Sequence, residues 1–351
     1  MLVVQHSKGS KMNEIRFCHV NERDLLLQFI DDHWKKNHIF TQDTNLLDWQ
    51  HLDKIYKRYN FVVAYNKETD EFDAILGFIP TYQFDDSLEN NNELWLAIWK
   101  IKDNAKVSGL QLLFYLKTKL KPKLISSIGI TENVRGIYDA LKFKRGILQQ
   151  FYILSKEYIP CISNIKNIPK LSITKNNYRL KEIDFYQYIK SIQSVIESAK
   201  CSMHKSLDYI KNKFLLHPYY TYKLIGVFRD ETMASLFIVR KIVLGSNSCL
   251  RIVDYYGPFI KQSLYSEFVN LLKVEEAEYI DFLCYVEDYS MVTNMGFILK
   301  SEDDIIPEYF EPYIQKNVDI EFAYSSRKNN VRIFKADSDQ DRPSLYKGDN
   351  W

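Results

Sequence analysis

Side chains along Glu93–Ile101 alternate between two apolar sides: Leu94, Leu96, Ile98 and Lys100 fall on one, Trp95, Ala97, Trp99 and Ile101 on the other. That period of two, rich in Trp and Ile, predicts a strand. A polar loop, Lys102–Lys106, follows, and Ser108-Gly109 opens a run of Leu110, Leu113, Phe114, Leu116 and Leu120 at helical spacing. A strand that passes through a short loop into a helix brings backbone N–H groups and the positive end of the helix dipole to one point. Such a point suits an anion, and Gly109 would let a phosphate approach the backbone while Lys106 adds charge. The same pattern also fits an ordinary strand-to-helix crossover.

Similar periods recur on both sides. Ile15–Val20 predicts a strand, and Asn21–Asp24 caps a helix running to His33. Phe61–Tyr65 and Ala74–Ile79 flank the polar turn Asn66–Asp73 and predict a hairpin. Leu124–Ile130 predicts a strand, Asn133–Phe143 a short helix, and Ile147–Leu154 a closing strand. Residues 1–12 are expected to be a disordered lead-in, and the stretch 156–177, with Pro160 and Pro169, a linker. The order then repeats. Tyr178–Ile183 is a strand, Phe185–Ile196 a helix, and a second helix ends at Leu215-Leu216-His217-Pro218. Tyr222–Phe228 and Ala234–Val243 form a hairpin, Leu250–Tyr256 a central strand, Ser263–Val274 a helix and Tyr279–Tyr285 a strand. Val331–Phe334 leads into a polar tail, Lys335–Pro343. The reading is mixed α/β, a largely antiparallel sheet interrupted by helices and present in two copies. Domains are expected at 13–156 and 178–346, joined by 157–177.

Length agrees, since 351 residues exceed what one core usually serves. A balance of 47 basic and 45 acidic residues offers no nucleic-acid footprint. Five scattered cysteines lack both metal-ligand spacing and an even disulfide set, which points to a reducing cytoplasm and no metal. No apolar run or hydrophobic leader suggests a membrane span or export. Twenty-five tyrosines suggest polar-tipped walls for a ligand as well as packing.

The strand, loop and helix around Gly109 resemble the GNAT acyltransferase fold. Tyr138, with Phe143 five positions on, resembles the tyrosine and Gly-Phe that close a helix in that family; Lys142 stands where the glycine would be. The usual Arg/Gln-x-x-Gly-x-Gly/Ala loop is replaced by Asn104-Ala-Lys-Val-Ser-Gly109. In the second half the loop Gly257–Ser263 has no such pattern and Val292 occupies the tyrosine position, so that half resembles a degenerate copy. Nearly the whole chain is similar to two-domain nucleotide-sugar N-acyltransferases of this superfamily. The match rests on Trp34-x-x-x-His38-Ile39, Leu47-x-Trp49, Gly77-Phe-Ile-Pro80, His217-Pro-Tyr-Tyr220, Asp254-Tyr-Tyr-Gly257 and Lys335-Ala-Asp-x-Asp-Gln-Asp-Arg-Pro343. This resemblance implies acyl transfer from acyl-CoA, 3-hydroxybutyryl-CoA or acetyl-CoA, to the amine of a dTDP-linked 3-amino-3,6-dideoxyhexose, for surface polysaccharide (O-antigen or capsule). It implies a cytoplasmic monomer or homodimer without nucleic-acid or membrane partners. Two alternatives stay open: a tRNA-dependent aminoacyl transferase of peptidoglycan, and a non-catalytic binder of nucleotide sugars.

The resemblance also names residues. Trp99 and Ile101 on the splayed strand, Ala105, Lys106, Val107, Ser108 and Gly109 in the loop, and Asn133 would hold coenzyme A. His38, which titrates near neutrality as a free side chain, and Asp254, a carboxylate inside an apolar strand, are candidates for the base. Burial at Asp254 requires a ligand or a cationic partner such as Arg. Tyr138 could protonate the leaving thiolate. Each has a structural alternative: a loop histidine, an ion pair, core packing. For the sugar nucleotide the candidates are Trp34, Trp49, His217, Tyr219, Tyr220, Tyr255, Tyr256, Lys335, Asp337, Asp339 and Arg342. Arg342 and Lys335 suit phosphates and the tyrosines a thymine face. Asp337, Asp339 and Asp341 could hold hydroxyls, a base edge or their own cationic neighbours.

Overall fold

The computed structural model describes residues 13–168, 177–199, 203–327 and 329–344. The expected lead-in 1–12, much of the expected linker, Cys201 and the chain beyond Ser344 lie outside the described residues. The chain divides into two compact units, Met1–Ile79 with Leu96–Lys121, and Pro80–Trp95 with Pro122–Trp351.

In the first unit β1 (Asn13–His19) is followed by α1 (Arg23–Phe29), which runs on as a π-helical turn, Ile30–Trp34. Then come α2 (Ile39–Gln42), α3 (Thr44–His51), β2 (Leu52–Asp53), β3 (Arg58–Asn66), β4 (Glu71–Pro80), most of β5 (Glu93–Ile101) and α4 (Gly109–Leu120). β3 pairs antiparallel with β1, β2 and β4. Phe61, Val62, Val63 and Ala64 are all fully buried, so β3 carries apolar residues on both faces. α4 packs on β1 through Tyr115, whose ring meets Phe17 edge-on at 5.4 Å.

The second unit continues with β6 (Leu124–Ile128), α5 (Glu132–Ala140), β7 (Lys144–Ile147), β8 (Gln149–Leu154), β9 (Tyr178–Glu182), α6 (Ile189–Ser198) and α7 (Leu207–Ile210). Next are β10 (Tyr222–Arg229), β11 (Thr232–Leu244), β12 (Asn247–Tyr256), α8 (Tyr265–Val274), β13 (Tyr279–Tyr285), α9 (Ser290–Thr293), β14 (Ile298–Leu299), β15 (Glu321–Ser326) and β16 (Ile333–Phe334). Its sheet has the order β14-β8-β13-β12-β11-β10-β9, with β16 also on β13. Among the described residues of this sheet only β12 and β13 run parallel, joined by the α8 crossover. Phe237, Tyr255, Phe268, Phe282, Phe297 and Phe334 form an aromatic core beneath it. The architecture is mixed α/β with the element order of the first half repeated in the second.

Two strands go where the sequence pattern does not send them. The expected closing strand of the first half breaks at Leu148, and β8 pairs with β13 of the second sheet. Phe151 and Ile153 enter the aromatic core, while Tyr152 and Leu154 join a second cluster with Ile162 and Tyr279. Both faces of β8 are therefore buried, which its unbroken Phe-Tyr-Ile-Leu run satisfies. β15, which the pattern leaves unassigned, pairs antiparallel with both β6 and β7. Among the described residues no helix is long and apolar enough to cross a membrane.

Candidate functional site

The expected strand, loop and helix are present in the first unit. Asn104 takes a left-handed φ of 64°, and the Ala105 N–H bonds the Lys102 carbonyl at 3.1 Å, turning the chain toward α4. Ser108 caps α4 reciprocally with Gln111, whose Oε1 accepts the Ser108 N–H at 2.9 Å. The N–H groups of Gly109 and Leu110 are the remaining first-turn donors, with exposed Lys106 nearby in sequence. Gly109 has a second reason to be glycine. A Cβ there would lie 2.6 Å from Trp99 Nε1 and 3.0 Å from Cε2, so the indole occupies the space a side chain would need. Gly109→Val is therefore expected to displace Trp99. Tryptophan emission of the folded variant checks it; an unchanged spectrum would show that the indole does not fill this space.

A cavity of about 450 Å³ lies in the second unit. Five residues singled out from the sequence, Tyr219, Tyr220, Lys335, Asp341 and Arg342, line it together. His217, behind the two tyrosines, is neutral: burial lowers its pKa to about 3, and its Nδ1 accepts the N–H groups of Tyr219 and Tyr220 at 3.0 and 2.9 Å. Its ring stacks on Tyr220 at 5.1 Å, so His217 positions the two tyrosines. On the cavity wall the Arg240 guanidinium lies 3.9 Å over the Tyr220 ring and pairs with Asp341 at 2.8 Å. Lys335 is the unusual member. It is 2% exposed, its Nζ makes no hydrogen bond, and the Tyr309 ring lies 4.8 Å away. Burial, then Arg251 and Arg240, lower its pKa to about 7 against the pull of Asp341 and Glu308.

A second cavity of about 360 Å³ is lined by Leu88, Met203, His204, Lys205, Tyr255, Tyr256, Arg332 and Phe334, among others. Among its lining residues is the partner that Asp254 requires, Lys205. Its Nζ lies 2.9 and 2.8 Å from the two oxygens of Asp254 and 2.7 Å from Asp337. The Tyr256 hydroxyl and the Tyr255 N–H also donate to Asp254, each at 2.9 Å. Two carboxylates share one ammonium, so burial first, then Asp337, push the Asp254 carboxyl above its usual range against Lys205. Burial works against the Lys205 ammonium too, but Asp254 and Asp337 outweigh it and hold its pKa above that of an ordinary lysine. At the cavity edge His204 Nδ1 lies 2.8 Å from Glu93 Oε1, and its backbone N–H donates to Oε2 at 2.6 Å.

No protein-family model matches the sequence, and no curated protein matches it. Solved structures do. A GCN5-related N-acetyltransferase from Anabaena variabilis ATCC 29413 matches with a TM-score of 0.55 at 10% identity, over 89% of this chain and 72% of that one. A conserved protein of unknown function from Enterococcus faecalis V583, named a probable N-acyltransferase, matches with a TM-score of 0.52 at 8% identity and the same coverage. The fold is that of the GNAT N-acyltransferases.

Within this GNAT fold the other candidates separate. His38 is 3% exposed and caps α2, its Nδ1 accepting the Phe40 N–H at 3.3 Å, which gives it a structural task. Tyr138 is buried against Phe143 at 5.2 Å; burial raises its pKa to about 12, opposed by Ser127, so it is a neutral phenol. Ile101 and Ala105 are half-buried, Val107 is buried, and Asn133 is exposed on the first turn of α5. Trp34 ends the π-helical turn 43% exposed, and Trp49 is half-buried on α3. The tail aspartates pair with cations: Asp337 with Lys205, Asp341 with Arg240, Asp339 with Arg342 at 3.5 Å. Sequence reasoning missed Lys205, Arg240, His204 and Glu93. An arginine inside the apolar run of β11 was the one available signal, since Arg240 had to find a partner there. Among the described residues no group of His, Cys, Asp and Glu is placed to hold a metal ion.

Proposed function

We propose that the protein transfers an acyl group from acyl-CoA to the amine of a nucleotide-linked amino-dideoxy sugar. In this reading it resembles the dTDP-3-amino-3,6-dideoxyhexose N-acyltransferase FdhC, with 3-hydroxybutyryl or acetyl as the acyl group and O-antigen or capsule synthesis as the setting. The fold supports acyl transfer, and the first turn of α4 fits the diphosphate of the donor through Gly109, Leu110 and Lys106. The observation that carries the acceptor is Lys335, a buried amine without a hydrogen bond on a cavity that also holds Arg240, Arg342 and two tyrosines. A buried, unsatisfied ammonium is costly unless a ligand completes it. A nucleoside diphosphate brings anionic oxygens to the cations and a flat base to Tyr219 and Tyr220.

The direct test is mass spectrometry of products from a panel of acyl-CoAs and amino-sugar nucleotides. An acylated dTDP-amino sugar is the expected result, and no product with any amino-sugar nucleotide would remove the acceptor assignment. Arg342→Ala is expected to weaken dTDP-sugar binding about ten- to a hundredfold, the loss of a contact worth about 1.5–3 kcal/mol. Calorimetry on the folded variant measures it, and parent-like affinity would take Arg342 out of the site.

A further inference from the structure

We infer that His204, positioned by Glu93, is the base that deprotonates the acceptor amine in the 360 Å³ cavity. This rests on the acyl-transfer reading above but not on the identity of the sugar. The arrangement has the parts a general base needs: a titratable ring at the edge of a cavity, and an anion that fixes its orientation. Glu93 is fully buried, and both of its oxygens are committed to His204, one to Nδ1 at 2.8 Å and one to the backbone N–H at 2.6 Å. The carboxylate thus sets the position of the chain and the tautomer together, with the proton on Nδ1. The side chain of His204 is 47% exposed, so the ring meets the cavity while its anchor does not. A ring held through Nδ1 exchanges protons with a ligand through Nε2.

A half-exposed histidine contributes little to a core, whereas leaving Glu93 buried without its partner would be costly. The other charged groups at the cavity are already engaged. Lys205 is bound between Asp254 and Asp337, and Arg332 donates to the Gly257 carbonyl at 3.0 Å and lies over Phe259 at 4.7 Å. Tyr255 and Tyr256 donate their hydroxyls to the Pro258 carbonyl and to Asp254. These committed groups leave the proton transfer to His204. The apolar walls, Leu88, Ile196, Met203 and Phe334, suit a deoxygenated sugar carbon or the acyl chain. Phe334 lines this cavity while its neighbour Lys335 lines the cationic one, so the two cavities flank a single segment of chain.

The step balances as follows. The acceptor arrives as R–NH3+, and His204 Nε2 removes one proton, which passes to solvent. The neutral amine attacks the thioester carbonyl, the C–N bond forms and the C–S bond breaks. The second ammonium proton leaves with the coenzyme A thiolate as the thiol.

Thiol release from acetyl-CoA is measured across pH with dTDP-3-amino-3,6-dideoxyhexose and with a panel of simple primary amines. His204→Gln is expected to lower kcat/KM about a hundredfold or more near neutrality and to remove the acidic limb of the profile, with KM for acetyl-CoA unchanged. Glu93→Gln keeps a hydrogen-bond acceptor but removes the charge, so a smaller fall in kcat and a displaced acidic limb are expected. A general loosening of the fold would instead change KM and the melting temperature without displacing the limb. A folded His204→Gln protein with the parent's pH profile overturns this inference and leaves the acyl-transfer reading intact. No thiol release by the parent with any amine overturns both.

Discussion

Replacing Lys335 with methionine is expected to stabilise the protein at neutral and acidic pH and, in the same variant, to weaken binding of a nucleoside diphosphate. The side chain is buried, makes no hydrogen bond, and has a pKa lowered to about 7 by burial and by Arg251 and Arg240. Below that pH the amine is charged in both the folded and the unfolded chain, and the folded chain bears the full cost of a buried ammonium. Between about 7 and the ordinary lysine value near 10.4 the unfolded chain holds a proton that the folded chain does not. Stability of the parent therefore climbs with pH across that window. Methionine removes the climb, so its advantage, about 1–3 kcal/mol at pH 6, should vanish above pH ~10. Lys213, lowered to about 8 by burial, adds its own climb to both proteins, which is why the difference between the curves is the quantity to read. Urea denaturation at several pH values supplies it. Calorimetry with dTDP supplies the other half, with an expected loss of about tenfold or more. Binding to the parent near pH 8 should also take up protons, because an anion beside Lys335 favours the ammonium. A variant that is more stable yet binds dTDP like the parent would make Lys335 a packing defect and nothing more.

Lys205→Met should do the opposite to stability. Lys205 lies within 2.9 Å of both Asp254 oxygens and 2.7 Å of Asp337, and its side chain is 8% exposed. Removing one partner of a buried ion pair typically costs about 3–5 kcal/mol, because a charge is left without compensation. Here two carboxylates are left, which also raises the Asp254 carboxyl further above its usual range. A folded-state pKa above the unfolded one means stability that is present at low pH and lost as pH rises through the folded value. The variant should therefore regain stability on acidification toward the ordinary carboxylate range near pH 4. Adding Asp254→Asn and Asp337→Asn should recover much of the loss at neutral pH, since the uncompensated charges are then gone. Denaturation of the single and triple variants at two pH values decides it. A single variant as stable as the parent would show that solvent reaches the cluster and that its charges are not coupled.

Much of the fold was legible because alternation and helical spacing are local properties. β3, β5, α4, β12 and β13 emerge close to their expected bounds, as does the repetition of element order that reflects two copies of one unit. The tail Lys335–Pro343 was legible as a chemical cluster, since so many opposite charges after an apolar strand need partners. It is in fact packed, with Lys335, Ala336, Asp337 and Ser338 buried. What the sequence could not decide was pairing. Asp254 announced the need for a cation, but Lys205 is 49 residues away and no periodicity points to it. Glu93 and His204 are 111 residues apart, and neither sits in a pattern that singles it out. That His38 caps a helix through its Nδ1 was likewise not readable from its place in the sequence. β8 and β15 were decided by tertiary structure as well, β8 buried on both faces in the second sheet and β15 paired with β6 and β7. A strand carries its hydrophobic period in its own residues, whereas its neighbours, and the partner of a buried charge, are selected only when distant segments compete for the same hydrogen bonds and the same dry space.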